Sequence, residues 1–148
     1  MLISTVLGSC VSVCLWDKRT KVAAMNHYLL PGNSDDAYGD TSRGFISISL
    51  LARSLKNRKV QLEDIEAKVF GGAHLHNTGN DIYKVGERNA NIAFEVLKQY
   101  GIAVVAHHLG GDCGRKIVFN TSNGKVRMRL LRKSTLEVNE EINKGFGY

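Results

Sequence analysis

The chain has 148 residues, 43% of them hydrophobic and 23% charged, which suits one globular domain with its own core (residues 1–148). Its 20 Lys and Arg against 14 Asp and Glu give a formal charge of +6, which favours acidic partners of any kind. No apolar run approaches the roughly 20 residues of a membrane span, and Cys10, Cys14 and Cys113 match no disulfide framework, so direct membrane insertion is not expected and a reducing cytoplasm is.

Ser9 to Trp16, rich in Val and Leu, predicts a strand, and Lys21 to Leu30 predicts a second across the polar loop Asp17-Lys18-Arg19-Thr20. Pro31-Gly32 ends it. Asp40 or Thr41 can cap a helix whose Phe45, Ile48, Ala52 and Leu55 recur at helical spacing. Ala67 to Phe70 predicts a short buried strand closed by Gly71-Gly72, and His74 to Gly86 a polar functional loop. Arg88 to Tyr100 predicts a helix stopped by Gly101, and Ile102 to Ala106 a strand buried on both faces. Lys116 to Phe119 and Lys125 to Leu131 make a hairpin around Ser122-Asn123-Gly124. The expected architecture is a single α/β domain of roughly ββαβαβββ order with a mixed β-sheet and two main helices.

The first hairpin carries the chemistry. With Asp17 to Thr20 as its loop, Trp16 opposes Lys21, Cys14 opposes Ala23, and Cys10 opposes His27. Directly opposed side chains share a face, with Cβ atoms about 4.5–5.5 Å apart. A thiol becomes a strong nucleophile when it loses its proton, and a neighbouring imidazole both accepts that proton and stabilises the thiolate. Gly8 and Ser9 leave room before the thiol for a substrate and for backbone N–H groups, Cys10's own among them, to hold an oxyanion. Cys14 reads as a core filler. A third group orienting the imidazole can come from Ser4, Thr5, Ser12 or Asn26, with Ser4 on the thiol's face if the strand runs unbroken.

Leu7-Gly8-Ser9-Cys10-Val11-Ser12-Val13-Cys14-Leu15-Trp16-Asp17 and Met25-Asn26-His27-Tyr28-Leu29-Leu30-Pro31 closely resemble the CheD family of chemoreceptor glutamine deamidases. The likeness continues through Tyr38-Gly39-Asp40, Ala67 to Ala73, Gly86-Glu87-Arg88-Asn89, Gly110-Gly111 and Arg115 to Phe119. It implies a single-domain α/β layered sandwich similar to bacterial toxin deamidases, and a cysteine hydrolase that converts selected receptor glutamines to glutamates with release of ammonia. The family's nucleophile falls on Cys10 and its histidine on His27. Its third member, a threonine, falls on Ser4, or on Thr5 if the alignment moves by one. The resemblance implies no metal or organic cofactor; its partners are the cytoplasmic region of chemoreceptors and, in some species, a CheC-type phosphatase. Arg88, Asn89, Gly110, Gly111 and Arg115 are candidates for partner binding. His107-His108 stands where the family commonly carries an acidic residue.

Three other readings compete. His74 and His76 with His107, His108 or Cys113 suggest zinc, but the spacings match no zinc motif. The positive charge permits nucleic acid, yet no aromatic-interleaved basic motif is present and none is expected as a partner. A non-catalytic receptor- or CheC-binding module remains the alternative to an enzyme.

Overall fold

A computed structural model describes residues 1–29, 42–74 and 80–131. The expected caps Asp40 and Thr41, the Tyr38-Gly39-Asp40 motif and His76 lie outside these residues. In chain order the elements are β1 (Leu2–Leu7), β2 (Val11–Asp17), β3 (Ala23–Met25), α1 (Ser42–Lys56), a short 3-10 turn (Leu62–Asp64), β4 (Ile65–Gly71), α2 (Asn80–Gln99), β5 (Ala103–Leu109), β6 (Gly114–Asn120) and β7 (Val126–Leu131). They form a layered α/β sandwich with two sheets instead of one: β3-β2-β4-β5, and β1-β6-β7. Only β4 and β5 pair in parallel, so the four-stranded sheet is the mixed one.

β2 lies at the centre because both of its faces are apolar. Val11, Val13 and Leu15 face the helices, joining Ile48, Ala52 and Leu55 of α1 and Ala93, Val96 and Leu97 of α2 in the larger core. Cys14, on the other face, meets Leu7, Phe70, Ile117 and Phe119 between the two sheets. A strand buried on both sides needs this near-continuous apolar run. Phe45, expected in the buried stripe of α1, is 43% exposed and turns away from it.

Four other expectations are corrected. Leu2–Leu7 is a strand separate from β2, because the chain bends at Gly8-Ser9 and crosses from one sheet to the other. β5 is an edge strand with Val105 half exposed, where burial on both faces was expected. The loop expected as far as Gly86 gives way to α2 at Asn80. A mid-helix glycine costs helix stability in isolation, but Gly86 is where α2 touches Gly72, and a Cβ on either would overlap the other's carbonyl oxygen.

The fourth correction is the hairpin register. Trp16 pairs with Ala23 and Cys14 with Met25, a shift of two from the expected pairing. Asp17 is the last residue of β2, not the first of the loop. Its carboxylate accepts the N–H groups of Arg19 (2.9 Å) and Thr20 (3.2 Å) and the Thr20 hydroxyl. Lys21 closes the turn at φ 60°. A shift of two preserves which side chains share a face. Among the described residues no helix is long and apolar enough to cross a membrane.

The crossing is held by close backbone contact. Gly71 sits at φ 125°, and a Cβ there would overlap the Cys10 carbonyl oxygen. Gly71→Ala should therefore destabilise the fold by about 2 kcal/mol or more, from backbone strain plus the displaced Cys10 segment. Urea unfolding measures this, and an unchanged midpoint would show that the contact is dispensable.

Candidate active site

Cys10 lies between the bend at Gly8-Ser9 and the first residue of β2, and is partly exposed. Three consecutive carbonyls fix its backbone. Gly8 O accepts from Ala73 N–H (2.8 Å), Ser9 O from Asn89 Nδ2 (3.1 Å) and Cys10 O from Gly72 N–H (2.8 Å). The end of β4 and one helical side chain thus hold the segment that the strand ladder does not.

His27 comes from the far side of the first hairpin. Beside it, Tyr28 and Val11 exchange both backbone hydrogen bonds at 2.9 Å. Counting along that register sets His27 opposite Ser12, with Cys10 one diagonal step away and not directly across as expected. Diagonal neighbours on one face have backbones about 7–8 Å apart, still within reach of longer side chains. Asn26 anchors the segment that carries His27. Its Oδ1 accepts from Val13 N–H (2.8 Å), its Nδ2 donates to Ser47 Oγ (2.9 Å) and its carbonyl accepts from Ser12 Oγ (2.6 Å).

The His27 ring reaches the other sheet. Its Nδ1 lies 2.9 Å from Thr5 Oγ1 on β1. Ser4 was expected in this place, but alternation along β1 turns Ile3, Thr5 and Leu7 inward and leaves Leu2, Ser4 and Val6 exposed. Ser4 pairs with Val118 and lines a cleft on the outer face of its sheet. Ser4 shares the thiol's face only if the strand runs unbroken through Gly8, and the bend there breaks it.

Burial moves both reactive groups towards neutrality. It pushes the Cys10 thiol up, an effect reduced by the hydrogen bond from its own backbone N–H. It also pushes His27 below its ordinary value. Both shifts favour the uncharged forms, where the sequence suggested an ion pair. Cys14, deeper between the sheets, is pushed up to about 12 by burial despite Ser12 and Lys68.

Two residues assigned to partner binding are interior. Asn89 and Arg115 are both fully buried, so neither presents a side chain to a partner. Asn89 couples the two halves of the site: its side chain holds Ser9, and its carbonyl accepts the hydroxyl of Tyr28, next to His27. Arg115 donates to the carbonyls of His108, Gly110 and Cys113 and to His108 Nδ1 (2.8 Å). His108 thus meets the guanidinium with both its carbonyl and its ring. The turn that Arg115 shapes is pinned to the supports of the Gly8 to Cys10 segment, through Gly110 N–H to Gly71 O (3.1 Å) and His74 N–H to Gly111 O (2.8 Å). Arg88 is half-buried, and Gly110 and Gly111 lie at the surface. His107 packs edge-on against Phe94, with ring centroids 5.7 Å apart. Among the described residues no three His, Cys, Asp or Glu side chains gather as a metal would need.

Comparison with known proteins gives a consistent family. A family model described as CheD chemotactic sensory transduction matches residues 29–130. The probable chemoreceptor glutamine deamidase CheD of Sulfurimonas denitrificans is 40% identical over 134 residues, covering 90% of this chain and 86% of that protein. Its namesake in Trichlorobacter lovleyi is 44% identical over 124 residues, covering 84% and 77%. The probable chemoreceptor glutamine deamidase CheD 2 of Chromobacterium violaceum is 39% identical over 143 residues, covering 95% and 71%.

The contrast between the thiols is testable. Iodoacetamide at neutral pH should label Cys10 in the folded protein, whereas Cys14 should take label only after unfolding. Peptide mass mapping reads both. Labelling of Cys14 at the rate of Cys10 would show that the interface between the sheets is open.

Proposed function

The chain belongs to the CheD family, and from that premise we propose that it is a chemoreceptor glutamine deamidase with Cys10 as nucleophile, His27 as base and Thr5 as the group that orients the base. The observation that carries this reading is the Thr5–His27 contact between the two sheets, beside a partly exposed cysteine. A non-catalytic module has no need of such an arrangement, and no observation favours that alternative.

The contact suggests a tautomer. With His27 Nδ1–H donating to Thr5 Oγ1, Nε2 carries the lone pair and can take the thiol proton. In the proposed reaction His27 accepts that proton as Cys10 Sγ attacks the side-chain carbonyl carbon of glutamine. The Cys10 N–H, in a segment shaped by Gly8 and Ser9, supports the oxyanion. The imidazolium then protonates the amide nitrogen, the C–N bond breaks and ammonia leaves a thioester. His27 next deprotonates water, which attacks the thioester carbonyl. The C–S bond breaks, the sulfur regains a proton and glutamate is released. These steps use the chain's own residues. Action on receptors assigns the protein to the cytoplasm, and a CheC-type phosphatase is a partner to test by co-purification.

Mass spectrometry of a receptor cytoplasmic fragment tests the class. Wild type should add about one mass unit for each glutamine converted, and Cys10→Ala and His27→Ala should add none. A gain with Cys10→Ala would exclude the thioester route.

The third member has its own test. Thr5→Val should lower kcat by about 10- to 100-fold, less than the loss of a charged triad member, while Thr5→Ser should retain most activity and Ser4→Ala all of it. Equal losses for Thr5→Val and Ser4→Ala would refute the assignment.

The pH dependence follows from the sign of the His27 shift. Its folded value is lowered by burial, so the base form prevails at neutral pH and is lost on acidification. The acid limb of kcat/KM should therefore lie below the ordinary histidine value of 6.5. Thiolate absorbance should rise only above the ordinary thiol value of 9.0. A thiolate already present at neutral pH would replace this scheme with a preformed ion pair.

A further inference from the structure

The outer face of the β1-β6-β7 sheet carries a cleft of about 800 Å³ lined by Ser4, Lys116, Val118, Lys125, Arg127 and Arg129, among others. It is separate from the site at Cys10, yet the two share a wall, since β1 turns Thr5 towards His27 and Ser4 into this cleft. The cations gather there through strand alternation. Ile117 and Phe119 point into the core, which turns Lys116 and Val118 outward. Register sets Lys116 directly opposite Arg129, and Val118 opposite Arg127. No carboxylate is among the described residues that line the cleft.

A surface of this kind is complementary to carboxylates, and the proposed reaction makes carboxylates. Each turnover replaces a neutral glutamine amide with an anionic glutamate on the same substrate chain. We propose that this cleft docks a glutamate-bearing stretch of the protein substrate, so that carboxylates already present, including those from earlier turnovers, strengthen binding for the next. The inference rests on the deamidase reading for its substrate, and it adds an order of events: partly converted substrate is preferred to unconverted substrate. Charge of this kind acts at the rim of a complex and weakens with salt.

The experiment separates docking from chemistry. Full-length Cys10→Ala protein is titrated with a fluorescent receptor cytoplasmic fragment whose modifiable positions are all Gln or all Glu. The Glu form should bind about tenfold more tightly at low salt, and the difference should shrink near physiological salt. Adding Lys125→Glu with Arg127→Glu should abolish the preference, with the circular dichroism spectrum unchanged. In the active protein the same pair of changes should raise KM for a half-converted fragment and leave kcat as it is. Equal binding of the two forms, no binding of either, or a preference that survives the double change would overturn the proposal. So would tighter binding of a single-stranded oligonucleotide at the same residues, or loss of a dimer in the variant, since each assigns the cleft to another occupant. A wild type that produces no mass gain while the Glu preference persists would sink the deamidase reading and leave the carboxylate-docking surface standing.

Discussion

The whole site depends on a backbone-to-backbone contact. Between β1 and β2 the chain leaves one sheet and enters the other, and at that crossing it has no strand ladder to hold it. The end of β4 takes over, with the Ala73 and Gly72 N–H groups bonding the carbonyls of Gly8 and Cys10. Such an approach leaves no space for a Cβ at Gly71, and the reciprocal contact between Gly72 and Gly86 brings α2 to the same point. Asn89, one helical turn further on, then reaches Ser9. Burying these polar groups is tolerable because they satisfy one another. A thiol positioned by hydrogen bonds to its backbone from two elements is held more firmly than one on a free loop.

The second consequence is that the catalytic group proposed here exists only once both sheets have met. His27 takes its backbone position from the β2–β3 side, through Tyr28 and Asn26, and its ring contact from β1 in the other sheet. The apolar cluster of Leu7, Cys14, Phe70, Ile117 and Phe119 between the sheets sets their spacing. Cys14 serves that packing, and its raised pKa follows from the same burial. Two cysteines four positions apart in sequence therefore meet different environments: one at an open edge, the other sealed beneath it.

Local pattern made much of this legible. The apolar run of β2, the Asn-Gly hairpin of β6 and β7 and the helical stripe of α2 each carry a period that follows from their burial. What lay beyond reach came from tertiary contacts. Asp17 reads as a loop residue until its carboxylate is seen to cap the turn from the strand side, and its move into the strand, with Lys21 taken into the turn, shifts the register by two. Ser4 and Thr5 both offer hydroxyls, and only the bend at Gly8 decides which faces the imidazole. Alternation was the available signal, since Ile3, Thr5 and Leu7 share the face that Leu7 buries. Asn89 and Arg115 looked like surface recognition residues because polar side chains usually are. Their burial is intelligible only once the carbonyls they satisfy are located.

The uncharged third member proposed here, Thr5, fits the electrostatics of the proposed pair. A carboxylate beside His27 would favour imidazolium and raise the pH at which the base becomes available. Thr5 offers Nδ1 a partner without that charge, and burial alone shifts the ring, towards its neutral form. Cys10 is held as a thiol by the same burial. In the proposed mechanism charge then separates only when a substrate carbonyl is in place to receive the sulfur, and the orienting hydroxyl keeps Nε2 aimed while it does so. Replacing Thr5 by an acid would thus not improve the site. It would stabilise the imidazolium at rest and withdraw the base that the first step needs.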